Sequence, residues 1–392
     1  MKQGWKEETL GEIGKVSMCK RILKKQTNNI SGVPFYKIGT FGKQPNAFIS
    51  EEIYNEFKQK YSFPKKGDIL LSASGTIGRR VIYDGKPAYF QDSNIVWINN
   101  NEKKVLNEYL YKFYGFCNWN PSKGATISRL YNDDLKRIKI PIPPIEEQKQ
   151  IVEILDKAFE SIEQAKVNIG KNIQNSKELF QSRLNEIFSG KGDEWEEKKL
   201  KDVCIKITDG THQTPKYFDS GYIFLSSKNV TSGVINWENI KYIDEEQHHQ
   251  MQKRVSPQLD DILLAKNGTT GVAAIVDRAV EFDIYVSLAL LRASEELEAK
   301  YLLHFVNSPT AKTQFNQRLK GVGVPNLHLV EIREIIIKYP IDKNEQKNII
   351  DYIDTLIEKK NSLLKNYQLK LNNLEELKKS ILQKAFSGEL VP

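Results

Sequence analysis

The stretch "EEQKQIVEILD" at residues 146–156 decides how this chain is organised, because it returns as "NEQKNIIDYID" at 344–354. Outward from these copies the match continues. "DILLSASGTIG" (68–78) returns as "DILLAKNGTTG" (261–271), and "WKEETLGEI" (5–13) returns as "WEEKKLKDV" (195–203). "KGATISRLYNDDLKRIKIPIP" (123–143) answers "KGVGVPNLHLVEIREIIIKYP" (320–340), and "FSG" recurs at 188–190 and 386–388. The order is kept while the offset drifts from 190 to 198 residues, as small loop insertions produce. The chain therefore reads as two head-to-tail copies of one unit of about 190 residues, too long for a solenoid repeat.

Each unit has two parts. The first mixes short apolar runs with Gly, Asn, Asp and Pro punctuation. "VPFYKIG", "DILLSA", "RVIY" and "SNIVWI" read as strands in the first copy, with a helix over 104–117. "YIFLSS", "DILLAK", "AAIV" and "YVSLALL" read as strands in the second, with helices near 298–307 and 310–319. The glycines after "DILL" suggest a phosphate cradle. Neither copy has the Gly-Lys-Ser/Thr ending of a nucleotide loop, and each runs on into another apolar segment, so strand, tight turn, strand is the reading.

The second part of each unit is a helix. Between Glu146 and Phe188 there is no proline, and Ile151, Leu155, Ala158, Ile162, Ala165 and Ile169 step 4-3-4-3-4, the seam of a coiled coil. Its copy carries Ile353, Leu356, Lys360, Leu363, Tyr367, Leu371 and Leu374 with one repeated four-residue step, a stutter. Prolines precede both helices, acidic residues open the first, and Gly190 and Gly388 stand at C-cap positions. Each helix spans about 65 Å and needs a partner for its apolar stripe. Antiparallel pairing of the two within one chain is the simplest solution; pairing with other chains is the alternative. The expected architecture is α+β: two mixed α/β globular domains (1–145 and 195–341) alternate with two long helices (146–190 and 342–390) that pair as an antiparallel coiled coil, with an internal pseudo-twofold repeat.

Composition bounds the function. The 392 residues are 40% hydrophobic and 28% charged, which suits a soluble protein of two or three domains. No apolar run reaches membrane-span length, and the N-terminal residues lack a signal-peptide core, so a cytoplasmic location is expected. Cys19, Cys117 and Cys204 suggest neither a disulfide framework nor a CxxC metal site. The net charge of +8 is uneven: residues 1–145 hold 24 Lys and Arg against 13 Asp and Glu, whereas residues 195–341 hold 18 against 19. A basic first segment suits a polyanion, although, taken alone, solvated surface lysine is the plainer account of it. No catalytic constellation is legible. An amino-methyltransferase motif is approached only by "NPSK" (120–123), His248 and His249 are adjacent rather than on one helix face, and His212 and His328 read as surface or loop residues. No metal or catalytic residue is assigned.

Two related domains on a rigid spacer suit a ligand with two recognition points, and duplex DNA leads among these. At this point a family is recognisable. "PPIEEQ" (143–148) before the first helix, "GDILLSASGTIG" (67–78), "FSGEL" (386–390) and "ITDGTHQTPKYFDSGYIFLSSKNV" (207–230) occur in a duplicated order. The whole chain resembles the specificity (S) subunit of type I restriction-modification enzymes. The resemblance implies a non-catalytic DNA-binding subunit in which each globular domain reads one half of a split target and the helices set the gap. It further implies two docked modification subunits carrying S-adenosylmethionine, and restriction subunits with ATP-driven translocation. No cofactor is expected on the chain itself.

Residue types and loop positions nominate the DNA contacts, because Lys and Arg grip phosphate while Arg, Gln and Asn read base edges. In the first domain these are Lys20, Arg21, Lys24, Lys25, Lys37, Thr40, Lys43, Gln44, Arg79 and Arg80. In the second they are Thr211, His212, Gln213, Thr214, Lys216, Tyr217, Ser227, Lys228, Asn229, Lys266 and Asn267. Helix pairing is assigned to Ile151, Leu155, Ala158, Ile162, Ala165, Ile169, Ile353, Leu356, Leu363, Leu371 and Leu374. The competing class is a coiled-coil adaptor whose globular ends bind proteins. DNA affinity that falls steeply with salt separates the two.

Overall fold

The computed structural model describes residues 2–119, 129–190, 193–319 and 326–391. "NPSK" and the first residues of both "KG" repeats lie outside them. The chain divides into two compact units, residues 1–169 with 369–392, and residues 170–368.

The first unit contains β1 (Lys6–Thr9), β2 (Lys15–Ser17), β3 (Val33–Tyr36), β4 (Phe48–Ile49), β5 (Ile69–Ser72), β6 (Arg80–Ile82), β7 (Tyr89–Phe90), β8 (Ile95–Asn99) and β9 (Lys139–Ile142). They form a four-stranded sheet of order β2-β8-β5-β6, a three-stranded sheet β4-β3-β7 and the pair β1-β9. The second unit contains β10 (Trp195–Lys199), β11 (Cys204–Asp209), β12 (Tyr222–Leu225), β13 (Lys241–Ile243), β14 (Ile262–Ala265), β15 (Val272–Ile275), β16 (Phe282–Ile284), β17 (Leu288–Ala293) and β18 (Ile336–Pro340). Their orders are β11-β17-β14-β15, β13-β12-β16 and β10-β18, the same topology strand for strand. Even the parallel pairing of β3 with β7 recurs as β12 with β16.

The unbroken apolar runs of "DILLSA" and "DILLAK" follow from burial on both sheet faces. Ile69 and Leu71 face one core while Leu70 faces another; Ile262 and Leu264 likewise oppose Leu263 and Ala265. β5 returns antiparallel as β6 and β14 as β15, so the Gly-Thr-x-Gly segments are hairpin turns. Gly75, Gly78, Gly268 and Gly271 have φ of +66, +78, +74 and +77°, the left-handed region that favours glycine. The helix expected over 104–117 is shorter, Asn107–Phe113. The Asn100 amide donates to the Val105 carbonyl at 2.7 Å and holds 100–105 as a loop. Helices Ala299–Val306 and Pro309–Arg318 match their expected positions.

The long helices run Ile145–Phe188 and Lys343–Ser387. In the first unit their stretches lie antiparallel: Lys166 donates to Glu375 at 2.6 Å, and Lys378 donates to Glu163 at 3.3 Å. In the second unit the Lys360 ammonium sits 4.3 Å from the centre of the Phe180 ring, while Leu184 and Phe188 share a core with Ile350 and Ile353. Ile151, Leu155, Ile162 and Ile353 are buried; Ala158, Ala165, Ile169, Leu356, Leu371 and Leu374 are half-buried. Leu363 departs from its expected place, being 39% exposed, and Leu364 is half-buried instead. With Leu364 the partly buried positions 353, 357, 360, 364, 367, 371 and 374 alternate steps of four and three, and the expected stutter is not needed.

Each helix is pinned at both ends. Gln148 is fully buried: its Oε1 accepts from Leu106 N at 2.8 Å, and its Nε2 donates to the carbonyls of Lys104 and Pro143 at 2.8 and 2.9 Å. Gln346, also fully buried, accepts from Glu298 N and donates to the carbonyls of Glu296 and Pro340 at 2.8–2.9 Å. At the far ends Phe188 packs edge-on against Tyr301 and Phe305, and Phe386 packs against Tyr109, Phe113 and Phe116. Gly388 adopts φ +88°, as a C-cap glycine does. Gly190 serves differently: a Cβ there would meet the Trp195 ring at 2.6 Å.

Gly170 lies exposed inside the central helix, where a Cβ would meet nothing within 4 Å among the described residues beyond its chain neighbours and its own helix backbone. Gly170→Ala is expected to stabilise the protein by about 0.5–1 kcal/mol, through the narrower unfolded ensemble and better helix propensity. A urea midpoint that falls rather than rises would contradict this. No helix among the described residues is long and apolar enough to cross a membrane.

Candidate nucleic-acid interface

The nominated loops follow different strands, yet within each unit they converge on one short segment. In the first unit that segment is 91–94, between β7 and β8. Gln91 N donates to Tyr36 O, and Gln91 Oε1 accepts from Ile38 N, both at 2.9 Å, which ties down the 37–44 loop. Ala73 N donates to Asn94 O, and the Ser74 hydroxyl meets Asn94 Oδ1 at 2.7 Å, which ties down the glycine turn. Arg21 pairs with Asp92 at 2.9 Å. In the second unit the equivalent segment is 285–287. Val286 N donates to Thr211 O, Ser227 N to Ser287 Oγ and Lys266 N to Ser287 O, at 2.9–3.0 Å. The shared framework thus presents three loops together in both units.

In the first unit Arg21, Lys24 and Lys37 line one concavity beside Asp92 and Asn94. Thr76 and Arg79 line a second, and Lys20 lines a third with Arg21 and Tyr61. Lys43 stands with Tyr36 and Phe90 in a separate groove, and Lys25 and Gln44 are exposed. Thr40 is occupied locally: its Oγ1 accepts from Lys37 N and donates to Lys37 O, closing the turn. Arg79 donates from Nη1 to Phe41 O at 2.9 Å. Arg80 is turned inward. Its guanidinium stacks 4.5 Å from the centre of the Tyr111 ring, and a Cβ on Gly115 would lie 2.5 Å from its Nη2.

In the second unit His212, Gln213, Thr214, Lys216, Tyr217 and Lys228 are exposed, and Thr211 and Ser227 are half-buried. The Lys216 backbone exchanges two hydrogen bonds with the Gln247 amide, and the Lys241 ammonium sits 3.7 Å from the Tyr217 ring centre. Two nominated residues face the interior instead. Asn229 is 6% exposed; its Oδ1 accepts from Ser226 N, and its Nδ2 donates to the carbonyls of Asn236 and Asn239. Lys266 is 5% exposed, with its ammonium 3.3 Å from Asp209 Oδ2. Asn267, next to it, has an Oδ1 with no hydrogen-bond partner among the described residues.

Asp209, at the end of β11, was not nominated, nor was Arg254. The Asp209 carboxylate is almost fully buried and accepts from Arg254 Nη2 at 2.6 Å, with His212 Nε2 at 3.3 Å. Burial works against its ionisation, but the hydrogen bond from Arg254, the charge of Lys266 and the bond to His212 outweigh it and hold the carboxyl below its ordinary range. Arg254 and Lys266 are 45 and 57 positions away from Asp209 in sequence, and no local spacing announces the cluster.

The remaining reactive groups have structural surroundings. His248 is buried, stacked 3.8 Å from Tyr222 and bonded through Nδ1 to Asp283 at 2.7 Å. Burial pushes the thiols of Cys19, Cys117 and Cys204 up to about 12, far from thiolate chemistry at neutral pH. Among the described residues, no group of three or more His, Cys, Asp or Glu side chains is placed to hold a metal ion.

Comparison with known proteins agrees with this duplicated architecture. The family described as the type I restriction modification DNA specificity domain matches residues 2–174 and again residues 192–373. The chain belongs to that family. The family recognises DNA targets and does not itself catalyse. A putative type I restriction enzyme specificity subunit, S.HindORF215P of Haemophilus influenzae, is 65% identical over 153 residues, 39% of this chain. The match spans about two fifths (40%) of that relative's own length. The MjaVIII specificity subunit of Methanocaldococcus jannaschii is 24% identical over 90% of this chain and 92% of its own. Among solved structures, a chain from a study of type I R-M complex assembly and conformational transition has a TM-score of 0.77 at 19% identity, covering 100% of this chain and 99% of that one. The HsdS subunit of Thermoanaerobacter tengcongensis gives 0.62 at 18% identity, covering 100% and 98%. At these identities the structures establish a shared fold.

Proposed function

We propose that this chain is the sequence-reading subunit of a type I restriction-modification assembly, acting in the cytoplasm. The two globular domains, residues 1–145 and 195–341, each read one half of a split duplex DNA target. The helices 146–190 and 342–390 fix the gap between the halves and dock two modification subunits. S-adenosylmethionine and ATP act on partner subunits, the second with restriction subunits. The observation that carries this reading is the repeated hub: identical strand topology gathers three loops in each unit, and the loops differ between the units. Shared scaffold with divergent loops is what two readers of different sequences need.

The test is methylation mapping in a host expressing the chain with its modification partner. Exchanging residues 1–145 for the matching domain of a relative is expected to change one half of the methylated target and leave the other intact. Adding four residues to each long helix, after 169 and after 368, adds roughly 6 Å and about one turn to each. It is expected to alter the gap with both halves unchanged. A swap that altered both halves, or an extension that left the gap as it was, would remove the case for independent readers.

A further inference from the structure

The second domain has almost no net charge, so its hold on a polyanion must be local. The Asp209 cluster gathers a guanidinium, an ammonium and an imidazole around one buried carboxylate. Arg254 is bound along one edge of its guanidinium: Nε donates to the Asp209 carbonyl at 3.2 Å, and Nη2 donates to its carboxylate at 2.6 Å. Nη2 also lies 3.4 Å from His212 Nε2. The side chain is nevertheless 49% exposed, and the described residues supply no acceptor for Nη1. In the tautomer whose Nε2–H donates to the Asp209 carboxylate, His212 accepts nothing from Nη2, and the end of the fork, Nη1 with the second hydrogen of Nη2, is presented outward from a fixed base. Lys266 braces the same carboxylate from the buried side.

The cluster also marks a difference between two otherwise matching scaffolds. Thr208 pairs with Leu290 as Ser17 pairs with Trp97, and those partners pair in turn with Leu263 and Leu70, which occupy the same place in the repeated motif. Asp209 thus corresponds to Met18. Lys266 corresponds to Ala73 within "DILLAKNGTTG" and "DILLSASGTIG". The first domain has neither the carboxylate nor the buried lysine.

Resting on the DNA-recognition reading above, we propose that Arg254 is a specificity-determining residue of the second domain, presenting its guanidinium end-on to a guanine in the major groove, with Asp209 as its positioning residue. Two parallel donors match the O6 and N7 acceptors of guanine. A phosphate contact has no need of a guanidinium locked in one rotamer, whereas reading a base edge does, because the wrong base must be refused by geometry. Holding one edge of the fork on a carboxylate removes the rotamer freedom that would blur the reading.

The test is selection from a pool of random duplex DNA by the full chain, sequencing the bound fraction at several salt concentrations, for the wild type, Arg254→Lys and Asp209→Asn. The preferences of the first half-site report folding within the same experiment. Arg254→Lys is expected to lower discrimination at one base pair of the second half-site by roughly ten- to a hundred-fold. Asp209→Asn is expected to relax that same position, with the salt slope of both variants close to wild type. Uniform weakening across all sequences, with discrimination at every position kept, would make Arg254 a phosphate contact and overturn the proposal. Unchanged discrimination in Arg254→Lys would also overturn it while leaving the DNA reading intact, and that variant decides the matter if Asp209→Asn does not fold. A wild-type chain that selects no sequence at all would overturn both.

Discussion

Phe386→Ala is expected to cost the first unit about 3–5 kcal/mol, the range for truncating a buried aromatic. Phe386 is 6% exposed and touches three rings, those of Tyr109, Phe113 and Phe116, while Leu382 and Ala385 beside it enter the same core as Trp5 and Leu10. The cavity would open where the C-terminal helix meets the first domain. Hydrogen exchange should therefore accelerate across β1, β9 and the helix Asn107–Phe113, far from residue 386 in sequence. Phe188→Ala supplies the mirror experiment, with loss of protection around Tyr301 and Phe305. Protection unchanged in the first unit of Phe386→Ala would show that the helix end adds nothing to that core.

The second large effect concerns the buried glutamines. Gln346→Leu keeps the volume nearly constant but leaves the Glu298 N–H and the carbonyls of Glu296 and Pro340 without partners. Each orphaned buried group costs about 1–3 kcal/mol, so a loss of roughly 3 kcal/mol or more is expected. Gln148→Leu should do the same to the first unit, because Gln148 makes the corresponding three bonds. Urea unfolding of both variants checks this. Midpoints within error of wild type would mean that water replaces the amide at both sites.

These glutamines show what sequence could and could not convey. "EEQK" and "NEQK" are visible as a duplicated signature, and the heptads behind them predict both long helices, because a sustained 4-3 rhythm of apolar residues keeps one helix face against a partner. The reason for the glutamine is not visible, since most of its partners lie about 40–50 residues upstream in a loop. Helix Glu245–Gln252 escaped because its apolar stripe is weak, and Glu51–Lys60 because its stripe of Ile53, Tyr54 and Phe57 is short, although Ser50 and Asp244, which cap them, were legible signals. The strand pair β1-β9 escaped because its first member, "KEET", is polar and becomes a strand only through its partner. At the candidate interface, loop chemistry named segments that the fold gathers at 91–94 and 285–287, yet it could not separate exposed Lys228 from buried Lys266. Both are lysines in polar turns, and only the carboxylate of Asp209 draws one of them inside.

The docking of Phe386 sets an order of events during synthesis. The domain made first has a core that is closed by residues made more than two hundred positions later, whereas the second domain finds Leu184 and Phe188 already in place when it emerges. At about 5–20 residues per second, the first domain waits roughly 10–40 s with the aromatic face of Tyr109 and Phe113 uncovered. That interval is the chain's period of greatest exposure to aggregation and to chaperones. It ends only when the C-terminal helix arrives.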